Sequence, residues 1–316
     1  MVMYLNNQVM SKDWINFLEI RAYGLMRSGN HAIIEWVQNQ HLDEITCFLN
    51  NVKHGNHDPY TNYKRRILTG IDEQIDIEDL RRMRKQLLIY SYEDRDELES
   101  NGKTFLESVF QQDFEENRQS YLGASKYQLD MLIIRDPFNY LASRLKLLQV
   151  RGPLDGVSNP ELIMKNWKLM AKEAIKLNQS PQPGKLVVNF NRWVNELAYR
   201  QHLSKILMGK FNDTSMKKIS DFGGGSSFRD PDKLTISMVL ARWKELFNVS
   251  RYARLGHYWR RITAPDNERK VFDRWKHFSA DENFQKMILD TELVELSEEL
   301  FGEISGTREI VANLKM

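Results

Sequence analysis

The chain has 316 residues, 41% of them hydrophobic, and this length suits one large α/β domain that can bury a sizeable core. Its 45 Lys and Arg residues nearly balance 43 Asp and Glu residues, so the formal net charge is only +2. This balance excludes a general electrostatic attraction to nucleic acid or to a membrane surface. Any affinity for anions must therefore come from local sites.

The sequence also bears on the cellular compartment. Cys47 is the single cysteine and cannot form an intrachain disulfide, which fits a reducing environment. Residues 1–12 lack the apolar core of a signal peptide, and no stretch approaches the roughly 18 apolar residues that a membrane span needs. We therefore expect a cytoplasmic protein with no membrane partner.

Four apolar runs predict buried strands that alternate with helical patterns. They cover residues 17–23, 86–92, 129–134 and 185–190. A helical pattern follows the first run, and Pro137 opens a helix to about Gln149 after the third. Strands that alternate with helices predict an α/β fold with a central parallel sheet and helices on both faces.

The rest of the chain no longer shows alternating strands and helices. A glycine-rich loop covers residues 222–228, and residues 233–316 read as a helical C-terminal part of a single domain, 1–316. Ligands of open α/β sheets bind beyond the carboxyl ends of the strands, so we expect the functional loops at that edge.

The loop after the first predicted strand is a candidate anion site. Gly24 and Gly29 have the spacing of a Walker A loop, but Asn30 and His31 stand where that motif has Lys and Ser/Thr. Hydrolysis of ATP or GTP with magnesium is therefore poorly supported. The cation lies inside the loop instead, at Arg27. Backbone N–H groups at the start of the following helix can hold a phosphate.

Residues 26–32 (Met-Arg-Ser-Gly-Asn-His-Ala) resemble the 5′-phosphosulfate loop of sulfotransferases that use 3′-phosphoadenosine-5′-phosphosulfate (PAPS), usually Pro-Lys-Ser-Gly-Thr-Thr-Trp. Arg27 falls on the lysine, and Ala32 replaces the tryptophan that stacks on adenine in the animal enzymes. The resemblance implies a P-loop-type fold and a cofactor-binding set of Arg27, Ser28, Gly29, Asn30 and His31.

A second segment resembles the 3′-phosphate motif of the same family. In that motif, an Arg at a strand end is followed by Asp/Asn-Pro and, eight residues after the Arg, by a Ser. Arg135 and Ser143 keep this separation. Ser143 lies two turns into the predicted helix, so a guanidinium and a hydroxyl can converge on one phosphate. The order of the two motifs along the chain also matches the family.

Two further elements resemble the family less closely. Phe190 falls on a tyrosine that often meets the adenine edge. The glycine loop resembles a 3′-phosphate loop that is often Arg-Lys-Gly, and it offers backbone N–H groups and hydroxyls at Gly224, Gly225, Ser226 and Ser227, with Arg229 as a possible cation. A stretch over 274–302 resembles the end of bacterial sulfotransferases, and we expect its aromatic residues in the core.

The candidate base follows the second predicted strand. Animal cytosolic members have a histidine there, and this chain has Glu93 at or next to that place. A partly buried carboxylate can act as a general base. His54 and His57 are the rival candidates. They have no companion ligands that would favour a metal site, and the family needs no metal.

The resemblance implies sulfuryl transfer from PAPS, with desulfated PAP as the product, to a hydroxyl or amine of a small acceptor. Segments 50–80 and 151–180 are expected to shape the acceptor pocket, where Asp58, Tyr60, Tyr63 and Asp155 suit a polar or cationic acceptor. The overall pattern is similar to bacterial natural-product sulfotransferases, including those that modify saxitoxin-type alkaloids. A P-loop kinase or NTPase and a non-catalytic nucleotide- or anion-binding protein remain alternatives, and the sequence leaves the oligomeric state open.

Overall fold

The computed structural model describes residues 6–7, 14–53, 57–93, 118–151, 160–217 and 273–315. Seven strands lie in this part of the chain: β1 (Asn6–Asn7), β2 (Asn16–Gly24), β3 (Thr46–Asn50), β4 (Arg65–Thr69), β5 (Lys85–Glu93), β6 (Ser125–Ile134) and β7 (Lys185–Asn189). Helices separate most of the strands, which is the order that an α/β fold requires.

The helices before the last strand are α1 (Asn30–Asn39), α2 (Ile77–Arg82), α3 (Arg118–Leu122), α4 (Pro137–Arg151) and α5 (Pro160–Gln179). After it come α6 (Phe190–Asn195), α7 (Leu197–Ile206), α8 (Glu282–Ile288), α9 (Thr291–Phe301) and α10 (Thr307–Lys315). Short 3₁₀ helices cover Thr214–Lys217 and Arg274–Phe278. None of the helices in the described ranges is long and apolar enough to cross a membrane.

All seven strands belong to one sheet. Its order is β6–β2–β5–β3–β4, and both β1 and β7 pair with β6. Strands β7, β6, β2, β5 and β3 run parallel, whereas β1 and β4 are antiparallel to their neighbours. The predicted α/β fold with a central parallel sheet is confirmed.

The sheet has a hydrophobic core on each face, because successive side chains of a strand point to opposite sides. On β5, Leu87 and Ile89 belong to one core and Leu88 and Tyr90 to the other. Helices α1, α6 and α7 cover the first face, and α4, α5, α8 and α9 cover the second. The C-terminal helices therefore pack onto the sheet and complete the second face.

The predicted strands agree with β2, β5, β6 and β7 to within a few residues. The strand predicted over 185–190 extends one residue beyond β7. Phe190 opens α6 and does not belong to β7. Asn189 ends the strand because its side chain accepts a hydrogen bond from the backbone N–H of Arg192 and caps the helix.

Sequence reasoning did not identify β3 and β4, and it placed most of their span in an acceptor-pocket segment. Cys47 lies inside β3, fully buried. In the second such segment, residues 160–179 form α5, and Trp167 and Met170 of this helix are buried in the core.

The pairing register fixes the edge at which the loops meet. Gly24 at the end of β2 lies opposite Glu93 at the end of β5 and opposite Ile133 near the end of β6. The loop after β2, the segment after β6 and the carboxylate of Glu93 therefore share the carboxyl edge of the parallel sheet, where α/β proteins bind ligands.

Candidate functional site

The loop between β2 and α1 has a backbone conformation suited to an anion. Arg27 and Gly29 both lie in the left-handed region, with φ of 79° and 96°, and Ser28 stands between them. A non-glycine residue rarely adopts this conformation, and it is retained mainly where function requires it. Alternation of this kind can gather successive N–H groups into one concave nest. Because the N–H of Ser28 already donates to the carbonyl oxygen of Leu25 at 3.0 Å, the donors for an anion are those of the following residues at the N-terminus of α1.

The side chains of Ser28 and Asn30 build the loop itself. The Ser28 hydroxyl donates to the carbonyl oxygen of Leu25 at 2.6 Å and lies 2.8 Å from Oδ1 of Asn30. The Asn30 amide donates to the same carbonyl oxygen at 3.1 Å. Both side chains are buried. The side chains of both residues therefore stabilise the conformation of the loop through hydrogen bonds within it.

Two features require glycine at position 29: its positive φ and the close approach of the Phe190 ring. A β-carbon at this position would lie 2.2 Å from Cε2 of Phe190. The Phe190 ring lies against the loop on one side, and the guanidinium carbon of Arg135 is 5.0 Å from its centroid. The structure thus brings together three residues that the sequence assigned to the cofactor site: Gly29, Phe190 and Arg135.

The segment after β6 holds Arg135 in place through a capped helix. Asp136 accepts hydrogen bonds from the backbone N–H and the side-chain amide of Asn139, at 2.8 and 2.9 Å, and so caps α4. Its other carboxylate oxygen accepts from Asn191 at 3.0 Å. The carbonyl oxygen of Arg135 accepts from the Trp167 indole at 2.9 Å. These contacts fix the backbone from which the guanidinium projects.

Arg27, Arg135 and Ser143 meet at one place. Nε of Arg27 donates to Oγ of Ser143 at 3.3 Å, and Nη1 of Arg135 donates to the carbonyl oxygen of Arg27 at 3.4 Å. Only 3% of Arg135 is exposed, and this burial lowers its pKa from the ordinary value of an arginine. The two motifs that the sequence separated by more than a hundred residues thus form a single site.

The structure adds a third guanidinium, which sequence reasoning missed. Arg274 opens the 3₁₀ helix Arg274–Phe278, and its backbone N–H donates to Oδ1 of Asn139 on α4 at 3.1 Å. Burial, together with the positive charges of Arg135 and Arg27, lowers the pKa of Arg274 to about 8. Trp275, the next residue, packs against Phe138 of α4 and fixes the helix there.

Arg274 lies near enough to Arg135 and Arg27 for their positive charges to lower its pKa, so the three guanidiniums together favour an anion. Each offers charge-assisted hydrogen bonds to phosphate or sulfate oxygens, and Arg does this in bidentate geometry. Arg27 and Arg135 belong to the sequence motifs, whereas Arg274 comes from the C-terminal part of the chain. The arrangement can therefore hold a ligand with more than one anionic group.

A second polar group lies beside the loop. Glu93, at the end of β5, has a side chain that is only 10% exposed, and its Oε1 is 3.8 Å from Nε2 of His31. The same Nε2 lies 3.0 Å from Oδ1 of Asn50, which also accepts from the Ser91 hydroxyl at 3.3 Å. The predicted base therefore stands at the loop, although it is paired with a residue assigned to the cofactor.

Asn51 follows β3 in the left-handed region, with φ of 49°. Its backbone N–H donates to Oγ of Ser91 at 3.0 Å, whereas its side-chain oxygen is buried and accepts no hydrogen bond within the described ranges. A buried acceptor atom of this kind costs about 1–3 kcal/mol, and a ligand donor can satisfy it. Its place beside Ser91 makes it a candidate contact for an acceptor molecule.

The other residues predicted for the site or the acceptor pocket either lie outside the described residues, are exposed, or have structural contacts. His54 and the glycine loop, with Gly224, Gly225, Ser226, Ser227 and Arg229, lie outside the described residues, as does Asp155. His57 is exposed. Asp58 forms an ion pair with Arg81 at 2.7 Å, and Tyr60 is fully buried in the core, so both have structural contacts.

Comparison with known proteins gives distant structural likenesses alone. No protein-family model matches the chain, and no curated protein matches it. The solved structures that it resembles include a crystal structure of the mouse sulfotransferase SULT7A1 complexed with PAP. The likeness covers 90% of this chain and 87% of that one, at 13% identity and a TM-score of 0.37.

Proposed function

We propose that this chain is a sulfotransferase that transfers the sulfuryl group of PAPS to a hydroxyl or amine of a small polar acceptor in the cytoplasm. The convergence of Arg27, Arg135 and Arg274 on one buried place beside the nest of the β2–α1 loop carries the proposal. PAPS has three anionic groups, a 3′-phosphate, a 5′-phosphate and the terminal sulfate. A site with several buried cations suits it better than a ligand with a single charge.

The described residues fit the cofactor at three points. The backbone N–H groups that follow Ser28, at Gly29 and the N-terminus of α1, supply donors for the 5′-phosphosulfate. Arg135, just before α4, and Ser143, two turns into it, supply a guanidinium and a hydroxyl for the 3′-phosphate. Phe190, held between Gly29 and Arg135, offers an apolar surface next to the loop for the nucleoside.

Two residues act on the reacting atoms. Arg27 stabilises the negative charge that grows on the bridging oxygen as its bond to sulfur breaks, an electrostatic effect of the kind that dominates group-transfer catalysis. Glu93 accepts the proton of the acceptor hydroxyl or amine while the new bond to sulfur forms. The products are the sulfated acceptor and PAP, and the acceptor's proton is left on the carboxyl group of Glu93.

The kinase-like alternative has less support from the loop geometry. Asn30 occupies the place of the Walker lysine, and its short side chain is turned into the loop toward Leu25 and Ser28. It cannot reach the β- and γ-phosphates of a nucleotide triphosphate as that lysine does.

The acceptor is proposed to be polar or cationic, because Glu93 and the oxygen of Asn51 lie at the same edge and both attract donors. A guanidinium alkaloid, of which saxitoxin is an example from bacterial natural products, has this chemistry. Phenols and simple sugars provide neutral comparisons of similar size.

A transfer assay tests the proposal directly. The protein is incubated with ³⁵S-labelled PAPS, without magnesium, and with guanidinium compounds, amines, phenols or sugars as acceptors. We expect acceptor-dependent transfer of the ³⁵S label to the acceptor, at a rate that falls by about 100-fold or more in Arg27→Ala and in Glu93→Gln. PAP binding without transfer to any of these acceptors would favour the non-catalytic alternative.

A further inference from the structure

Four polar side chains form a connected network beside the phosphate loop. They lie on three elements that meet at the carboxyl edge: His31 in the first turn of α1, Asn50 at the end of β3, and Ser91 and Glu93 at the end of β5. Oδ1 of Asn50 accepts from Ser91 at 3.3 Å and lies 3.0 Å from Nε2 of His31. The position of Asn50 is thus fixed from two sides.

The network determines which nitrogen of His31 carries a hydrogen. The amide oxygen of Asn50 can only accept, so Nε2 of His31 is the donor in this contact. Oε1 of Glu93 lies 3.8 Å from the same Nε2, within the range of an ion pair when the ring is protonated. The Nε2 side of the ring therefore faces Asn50 and Glu93.

These contacts change the role that sequence reasoning gave to His31. Because the Nε2–H of His31 is donated to Asn50, with the Glu93 carboxylate 3.8 Å away, this atom is not offered to a phosphate. Its backbone N–H still lies in the first turn of α1 and remains a donor for an anion there. The side chain and the backbone of this residue thus serve different purposes.

We propose that His31 is a positioning residue for the base: its imidazole orients the Glu93 carboxylate, while its side chain contributes nothing to cofactor affinity. The inference rests on the proposed function for the identity of the base, but the pairing itself is a property of the protein without ligand. A base acts efficiently only when its carboxylate is held in reach of the proton, and hydrogen-bonded neighbours provide this orientation.

Nuclear magnetic resonance of the ¹⁵N-labelled histidine side chains tests the pairing without any ligand. The chain has seven histidines, and the His31 signals are identified by their loss in His31→Ala. We expect the pattern of a hydrogen on Nε2 and a clear displacement of the His31 signals in Glu93→Gln. Signals that stay in place in Glu93→Gln would overturn the proposal.

His41 provides a matched control in the same spectra. Its Nδ1 lies 2.7 Å from Oε2 of Glu44, so it is a second histidine paired with a carboxylate. We expect Glu44→Gln to move the signals of His41 and leave those of His31, and Glu93→Gln to do the reverse. This pair of variants shows that the spectra report the loss of a particular carboxylate.

Calorimetric titration with PAP tests the second half of the inference. We expect His31→Ala to bind PAP within about threefold of the unaltered protein, and Arg135→Ala to bind at least about tenfold more weakly. A loss of about tenfold or more in His31→Ala would overturn the inference while leaving the cofactor assignment intact. If the unaltered protein does not bind PAP, the proposed function fails, and the spectra still decide whether His31 and Glu93 are paired.

Discussion

Nε of Arg27 donates to Oγ of Ser143 at 3.3 Å, and this contact joins the loop after β2 to helix α4. The two residues are 116 positions apart in the chain. Because the carbonyl oxygen of Arg27 also accepts from Arg135, the loop and the start of α4 form one unit. A change in either segment is therefore expected to affect the binding of both ends of a cofactor.

Replacement of Gly29 tests how closely the loop is packed. An alanine here would keep an unfavourable φ of 96° and place its β-carbon 2.2 Å from the Phe190 ring. We expect Gly29→Ala to lower the free energy of unfolding by at least about 2 kcal/mol, since left-handed strain and a steric clash add. Urea denaturation measures this change, and PAP affinity should fall with it.

Gly306 is the matched control for this variant. It has a φ of 83°, and a β-carbon there would meet the Trp275 ring at 3.7 Å, an ordinary contact distance. Gly306→Ala should therefore lower the free energy of unfolding by only about 1 kcal/mol, the cost of the positive φ alone. An equal loss of free energy of unfolding in the two variants would show that the Phe190 ring does not restrict the loop.

Arg274 provides a test of the cation cluster. Its guanidinium is buried near those of Arg135 and Arg27, so the three can contact the same anionic ligand. We expect Arg274→Gln to weaken PAP binding by about 10- to 100-fold. Calorimetry measures the affinity of the variant, and thermal unfolding checks that it is folded.

The control for Arg274 is an arginine of similar burial outside the candidate site. Arg200 is 9% exposed and Arg274 is 8% exposed, and Arg200 pairs with Asp213 at 2.9 Å. Arg200→Gln should lower the free energy of unfolding by about 2 kcal/mol or more and leave PAP affinity unchanged. An equal loss of PAP affinity in the two variants would contradict the account of a cation cluster.

Lys85 gives a prediction for the pH dependence of stability. It is buried, and this lowers its pKa from 10.5 to about 8. Between these two values the unfolded chain binds more protons than the folded chain, so the free energy of unfolding rises with pH. Relative to Lys85→Met, the unaltered protein should gain at most about 3 kcal/mol across this interval.

Urea denaturation at pH 7.5, 9 and 10 measures this difference. Burial raises the pKa of the Cys47 thiol to about 12, which has the opposite effect on stability above pH 9. Because Cys47 is present in both proteins, its contribution largely cancels in the comparison. If the free energy of unfolding changed with pH by the same amount in both proteins, the prediction for Lys85 would be contradicted.

The sequence predicts those parts of the site that local patterns encode. Arg27 and Arg135 each follow an apolar strand, and parallel strands bring their carboxyl ends to one edge. Strand β3 escaped prediction because it has five residues, and polar Thr46 and Asn50 stand at its ends. The edge strand β4 was missed because its side chains are only partly buried.

The missed contacts all depend on the arrangement of distant elements. Arg274 lies in a short 3₁₀ helix, and no local motif connects it to α4 or to the loop. The pairing of His31 with Glu93 follows from the strand order, which places β5 between β2 and β3. With β3 unrecognised, Asn50 could not be predicted as a partner of His31.

Calorimetric titration of PAP into the protein without magnesium, with ATP as the comparison, tests the central claim most directly. The account predicts micromolar or tighter binding of PAP, a loss of at least about tenfold in Arg135→Ala, and no requirement for magnesium. Binding of Mg-ATP without binding of PAP would contradict the sulfotransferase proposal and favour a kinase-like enzyme.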